Sequence, residues 1–449
     1  MKLRIPRTTA VLSAVLLLLP GCRPRKLAKM QEPTPSPSPS ATARPTPTPV
    51  IYIPSKCIET AKLFNGLQVQ ATVDAEKGGT ASDERDTPSS YKLDLQLKVK
   101  VPKPHSEMRE LTKLNEHLPA VLPWLEAALP TAKISPFYDD FYKLKVGTLH
   151  HDLTRLDKLL SRQHFFDCET VLELQSTDGH RALLIQSAMD VDTDGSDGDR
   201  VPIVEGTSST YQPMTSYKWP KKTAVPNPLL ATSEDRLKKL ETELAAKTTA
   251  AQRARDLREN LVPQARYEVN QLKKSSFLVA AADPYIVLPG LLMSNNYAPY
   301  TPRVGDYCVV IFKDALYPAL VGDVGPNYKI GEASLRICKE INTRSNGNNR
   351  PVSDLRVTYL VFPNSADKPY AVPDLEKWRA RCDELLKSLG GYAGELHTWE
   401  DLTKPKPTPT PSPTPEQLPI TSPSPTASPP PATSPTSTPS PSPSATATP

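Results

Sequence analysis

Short apolar runs with a period of two dominate the middle of this chain, the signature of half-buried strands. Leu67, Val69, Ala71 and Val73 alternate with polar residues, as do Leu93, Leu95, Leu97, Val99 and Val101. These predict two strands joined across a polar loop over 76–90. Residues 111–129 and 145–160 instead carry helical spacing, the first broken by prolines. The apolar runs 171–174 and 182–188 flank Ser176-Thr-Asp-Gly-His180, which predicts a β-hairpin. Farther on, 277–281, 285–288, 307–312, 316–321, 333–338 and 355–362 each read as a strand. Short strands in succession, parted by Gly/Pro turns, point to a small closed barrel.

Two helical patterns interrupt this β-rich stretch. Thr232-Ser-Glu-Asp235 is a capping-box signal ahead of Leu237, Leu240 and Leu244. Thr249-Ala-Ala-Gln252 is a second one, ahead of Leu257, Leu261, Val269 and Leu272, with Pro263 expected to kink the helix. Residues 232–274 therefore read as an inserted helical hairpin, either a solvated arm or an arm that binds a partner. A last amphipathic helix, carrying Leu375, Trp378, Cys382, Leu385, Leu386 and Leu389, should stop at Gly390-Gly391.

Between two of the predicted strands lies Val321-Gly-Asp-Val-Gly-Pro-Asn-Tyr-Lys-Ile-Gly-Glu-Ala-Ser-Leu335. It sets Asp323 and Glu332 on either side of a Gly325-Pro326 reversal. Fully extended, the steps between them would part the two by roughly 30 Å. The turn brings them within about 10 Å, the range in which two carboxyls flank a glycosidic bond. Gly331, Ile330, Ala333 and Leu335 surround Glu332 with apolar groups that favour a protonated acid, and backbone amides near Asp323 favour an ionised base. The plainer alternative is that Asp323 caps the turn while Glu332 pairs with Lys329 or Arg336.

A second acidic feature is Asp190-Val-Asp-Thr-Asp-Gly-Ser-Asp-Gly-Asp199. Asp190, Asp192 and Asp194 occupy the first, third and fifth positions of a calcium-loop pattern, but its twelfth position is Val201 and flanking EF-hand helices are not evident. The run is thus a calcium site or structural turn, an acidic wall for a polycationic substrate, or a solvated loop. Tyr211, Tyr217, Trp219, Tyr285, Tyr297 and Tyr300 are candidate sugar-stacking platforms or else core. His150-His151 has no His or acidic residue four positions away, so metal binding there is not expected.

The chain ends change the picture. Lys2, Arg4 and Arg7 precede an apolar run over 8–19 that stops at Leu19-Pro-Gly-Cys22, which resembles a bacterial lipoprotein signal with Cys22 as the lipidated residue. Nearly half of the 51 prolines lie in two Pro/Thr/Ser-rich segments, which should be extended and solvated. The domain expectation follows: signal peptide 1–21, linker 22–50, N-terminal α+β subdomain 51–165, barrel domain 166–403 with insert 232–274, and disordered tail 404–449. A net charge of +5 without a basic stripe excludes a nucleic-acid partner. Of the 6 cysteines, Cys22 is assigned to the lipid and Cys308 reads as a buried small hydrophobe. An oxidising compartment would permit a Cys338–Cys382 bridge.

The block Gly322-Asp-Val-Gly-Pro-Asn-Tyr-Lys-Ile-Gly-Glu-Ala-Ser334 resembles the fungal-type chitosanases of glycoside hydrolase family 75, whose pattern is a Gly-Asp followed, after a glycine-containing loop, by Gly-Glu-Ala-Ser. Asp190-Val-Asp-Thr-Asp-Gly195 and, more weakly, Asp283-Pro-Tyr-Ile-Val-Leu-Pro289 are similar to two further segments of that family. Residues 57–165 and the helical insert fall outside the fungal pattern and look like a bacterial lipoprotein branch. The resemblance implies endo-hydrolysis of β-1,4 bonds in chitosan-like amino-sugar polymer with inversion, Asp323 as base and Glu332 as acid. Asp190, Asp192 and Asp194 would then bind substrate, and no cofactor is expected unless calcium sits on those three. The strands around Asp323 also resemble double-psi β-barrels, so the expected class is α+β: a double-psi-like closed barrel with a helical insert and an N-terminal α+β subdomain. The expected form is a monomer, lipid-anchored on the extracytoplasmic side of a bacterial cell envelope. Two rival functions stand beside it: a peptidoglycan-cleaving envelope enzyme, and a non-catalytic wall-binding lipoprotein.

Overall fold

The computed structural model describes residues 57–59, 68–70, 75–153, 155, 167–200, 211–246 and 248–404. The signal segment with Cys22, the linker and residues 405–449 lie outside them. No helix among the described residues is long and apolar enough to cross a membrane. One small unit contains an antiparallel pair, β1 (Cys57–Glu59) with β2 (Gln68–Gln70).

The remaining strands belong to the larger unit. They are β3 (Lys133–Ile134), β4 (Cys168–Gln175), β5 (Arg181–Asp192), β6 (Lys218–Pro220), β7 (Ser275–Phe277), β8 (Tyr285–Pro289), β9 (Tyr307–Phe312), β10 (Ala315–Gly325), β11 (Glu332–Ser334) and β12 (Val352–Val361). Six of them close a barrel in the order β5, β11, β8, β10, β9, β12 and back to β5. The pairs β5·β11 and β8·β10 are parallel, and the other four are antiparallel. β5 is long enough to serve three neighbours, because β4 and then β3 extend the sheet from it. β6 and β7 form a separate antiparallel pair at the base of the helical insert.

The sequence explains the closure. Tyr307-Cys-Val-Val-Ile-Phe312 and Ala182-Leu-Leu-Ile185 are apolar on both faces because one face fills the barrel and the other lies under helices. The helix Leu375–Leu389 is capped by Asp374, whose carboxylate accepts from the Lys377 amide at 3.0 Å. It turns Trp378, Cys382, Leu386 and Leu389 onto β9 and β10. The helix Pro136–Asp152 brings Phe137, Tyr138, Phe141 and Tyr142 into the same core.

Several expectations need correction. Residues 93–101 form no strand: no neighbouring strand pairs with them, and Leu93 stays 65% and Val101 60% exposed. The preceding loop contains a helix, Ala81–Asp86, capped by Thr80. The helix expected at 145–160 begins at Pro136, a residue well suited to a first turn. Residues 333–338 divide into β11 and the helix Leu335–Ile341. In the insert the first helix starts at Leu230, so Thr232 is no cap, and Ser233 lies inside it with its hydroxyl donating to Glu268 at 2.7 Å. Thr249 likewise supplies no side-chain cap. Pro263 is carried by a π-helical turn, Leu257–Leu261, in which the Val262 amide reaches the Leu257 carbonyl. Cys338 and Cys382 are free thiols in different parts of the core: Cys338 lies against the carbonyls of Asp190 and Ala333, and Cys382 against those of Cys308 and Ala319. Cys308 is fully buried, as expected.

Candidate active site

Strand register brings four chemically important positions into one row. Asp323 on β10 pairs with Val287 on β8, Val287 pairs with Glu332 on β11, and Glu332 pairs with Asp190 on β5. Residues opposite one another on neighbouring strands share a face. Asp323 and Glu332 therefore project to the same side with one strand between them, a backbone separation of about 10 Å. A register shift between Val321 and Asp323 re-aims the aspartate at the end of β10.

Two motif glycines have steric causes. A Cβ on Gly322 would lie 2.6 Å from the Tyr285 ring, so only glycine lets that phenol cross β10. Gly331 has φ +87°, and a Cβ there would meet the Ala188 carbonyl oxygen at 2.2 Å, so β11 can lie against β5 only with glycine. Ser334 completes the arrangement by accepting the Tyr285 amide at 3.2 Å.

The two carboxyls have different surroundings. Asp323 Oδ1 accepts from the Ser216 amide at 3.0 Å, the Val324 amide at 2.7 Å and the Ser216 hydroxyl. Burial nevertheless outweighs these bonds and pushes its pKa up to about 6. Backbone amides thus do face Asp323, but the expected preference for the ionised form is not the net effect. Glu332 is held by an ion pair, Lys329 Nζ at 2.7 Å from Oε1. Burial again dominates and Asp192 and Asp190 add repulsion, so its pKa rises to about 7 against the pull of Lys329. The expected pairing with Lys329 forms, whereas Arg336 turns away to the Glu400 carbonyl and the Trp399 ring.

The acidic run divides. Asp190 receives Arg350 bidentately, at 2.5 and 3.1 Å, and lies 3.7 Å from Lys329. Asp192 accepts from the Asp194 amide and the Tyr285 hydroxyl, both at 2.9 Å. Asp194 accepts from the Gln212 amide at 2.8 Å. Burial, then repulsion, pushes Asp192 up to about 6 and Asp194 to about 9. Asp192, Asp194 and Asp323 each bring one oxygen within 4.8 Å of the others, close enough to share protons or to accommodate a cation. Asp190, tied to Arg350, lies outside that trio. The second half of the run is structural. Asp197 and Asp283 clamp Arg200, and Asp199 takes Lys221, the Lys222 amide and Thr223.

Most of the candidate stacking rings are unavailable. Tyr217 is buried against Tyr370, Trp219 under Arg200, and Tyr297 against Phe137. Tyr285 is fully buried and acts through its hydroxyl. Tyr211 and Tyr300 remain partly exposed. Sequence reasoning missed Ser216 and Arg350, which lie in segments without a motif and reach the site only through long-range packing.

No curated protein matches the chain. A family model described as fungal chitosanase of glycosyl hydrolase group 75 matches residues 189–396, which contain β8 to β12, the end of β5 and every carboxylate described above. Over this barrel segment the chain is similar to the fungal chitosanases of glycosyl hydrolase group 75.

Proposed function

We propose that this protein cleaves internal β-1,4 bonds of chitosan-like amino-sugar polysaccharide by an inverting mechanism, with Asp323 as general base and Glu332 as general acid. The family match over residues 189–396 supports glycoside hydrolysis; the substrate and mechanism are our reading. The observation that carries it is the row Asp323–Val287–Glu332, with two half-buried carboxyls on one face, one strand apart. Inversion needs room for a water between the base and the sugar, and the carboxyl groups of such enzymes stand roughly 6.5–9.5 Å apart. Asp323, the more acidic of the two, takes the proton from water. Glu332 gives its proton to the leaving oxygen, and Lys329 stabilises the carboxylate left behind. Asp192, ionised above about 6, adds negative charge beside the base, suited to the ammonium groups of glucosamine units, while Asp194 stays protonated there.

The test is incubation of the purified protein with chitosan, chitin and peptidoglycan. Reducing ends from chitosan, α-anomers in early NMR spectra, and loss of both in D323N and E332Q are the expected results. Anhydro-sugar products from peptidoglycan would overturn the reading. For localisation we propose lipid anchoring through Cys22, supported by the signal-like sequence before it. Palmitate labelling that persists in Cys22→Ser would rule it out.

A further inference from the structure

We propose that Ser216 is a positioning residue for Asp323: it occupies Oδ1 so that Oδ2 becomes the oxygen that receives the proton from water. This rests on the assignment of Asp323 as the base. All three donors to Asp323 converge on one oxygen: the Ser216 amide, the Ser216 hydroxyl and the Val324 amide all reach Oδ1. Among the described residues, Oδ2 accepts no hydrogen bond. A carboxylate oxygen has two lone pairs, so Oδ1 is saturated and Oδ2 keeps its own. The terminal torsion of an aspartate is broad and roughly two-fold. Donors concentrated on one oxygen select a single orientation.

Ser216 is held independently of the carboxylate it serves. The next residue, Tyr217, donates its amide to the Gly322 carbonyl at 2.9 Å, directly before Asp323. Its ring stacks on Tyr370 with centroids 4.6 Å apart, and its hydroxyl reaches the Ala371 carbonyl at 3.1 Å. On the other side, the Thr215 hydroxyl donates to the Tyr217 carbonyl at 2.9 Å and accepts the Leu278 amide at 3.2 Å. The serine is thus anchored through β10, the barrel core and the segment between β7 and β8. Residue 216 lies 107 positions before Asp323, outside the Gly-Asp and Gly-Glu-Ala-Ser block. The other ionisable groups around Asp323 are Asp192 and Asp194 at and beyond the end of β5, Tyr285 on β8, Glu332 on β11 and Lys329 before it. None of these donates to Oδ1.

The experiment compares Ser216→Ala, Ser216→Thr and wild type as full chains. In S216A, kcat on chitosan is expected to fall about 10- to 100-fold, the range for a lost hydrogen bond to a charged group, with KM within about twofold and Tm nearly unchanged. S216T, which keeps the hydroxyl, should recover most of the loss. A wild-type kcat in S216A overturns the proposal, and so does a folded S216T as slow as S216A. A readout that needs no substrate is the Asp323 carboxyl carbon followed by NMR. Its titration midpoint should move up in S216A, because the anion loses a donor, and an unchanged midpoint also overturns the proposal. If wild type leaves chitosan intact while the midpoint moves, the substrate assignment fails and the positioning contact stands.

Discussion

The two sides of the candidate site hold their carboxyls by opposite means. Asp323 is bound by uncharged donors, two amides and a hydroxyl. Glu332 sits in a chain of charges running from Arg350 to Asp190, Lys329 and Glu332. Both are half-buried, and the loss of solvent raises both pKa values. Dipoles from backbone and hydroxyl fix an orientation without adding a mobile charge, which suits a base that must stay aimed at water. A neighbouring cation makes Glu332 a stronger acid and accommodates the negative charge left when the proton departs.

The largest expected effect removes either side altogether. D323N and E332Q should each lower kcat/KM on chitosan about 10²- to 10⁴-fold, the usual contribution of a general acid or base. Reducing-end assays read this directly, and a variant retaining full activity would break the pairing of the two sides.

Next in size is stability on the charged side. Arg350→Met removes the bidentate partner of Asp190 and leaves it Lys329 at 3.7 Å, and should cost about 1.5–3 kcal/mol in denaturant unfolding. S216A, on the uncharged side, should cost far less. Equal losses would mean that the two sides do not differ as described.

The pH profile comes third. With the base ionised above about 6 and the acid protonated below about 7, kcat/KM should be a narrow bell between those values. Lys329 holds the Glu332 pKa down, so Lys329→Met should move the alkaline limb to higher pH and leave the acidic limb near its place. Movement of the acidic limb alone would assign the cation to the wrong carboxyl.

The smallest effect is a gain. Asp194 has its folded pKa raised from 3.8 to about 9 by burial and by repulsion from its neighbours. Between those values the folded state keeps a proton that the unfolded state releases, so stability falls as pH rises through the window. Asn cannot lose that proton, and it keeps an oxygen for the Gln212 amide. D194N should therefore raise Tm by a few degrees at pH 8 and by less at pH 5. A lower Tm at pH 8 would show that the charge is compensated.

Much of the barrel was legible because its signals are local. Tyr307–Phe312, the hairpin around Ser176–His180 and the helix ending before Gly390 follow from periodicity and turn residues within a few positions. The failures have a common cause. Residues 93–101 alternate as a strand does but find no neighbour, and Thr232 has the composition of a cap inside a helix that starts earlier. Tyr285 reads equally as a sugar platform or as core until Gly322 is seen to make room for it inside.

The sequence by itself determined that Asp323 and Glu332 bracket a Gly/Pro reversal between two strands, because a turn is encoded by the residues that make it. Only the tertiary structure decided which other groups reach them. The strand Val287 that spaces the pair, the Ser216 that aims one carboxyl and the Arg350–Asp190 pair beside the other come from distant segments brought into register. Likewise it split one acidic run into Asp190, Asp192 and Asp194 beside the two carboxyls and Asp197 and Asp199 in structural ion pairs. Where a carboxylate points depends on which cations and donors the packed barrel places within hydrogen-bond reach, and spacing along the chain does not encode that.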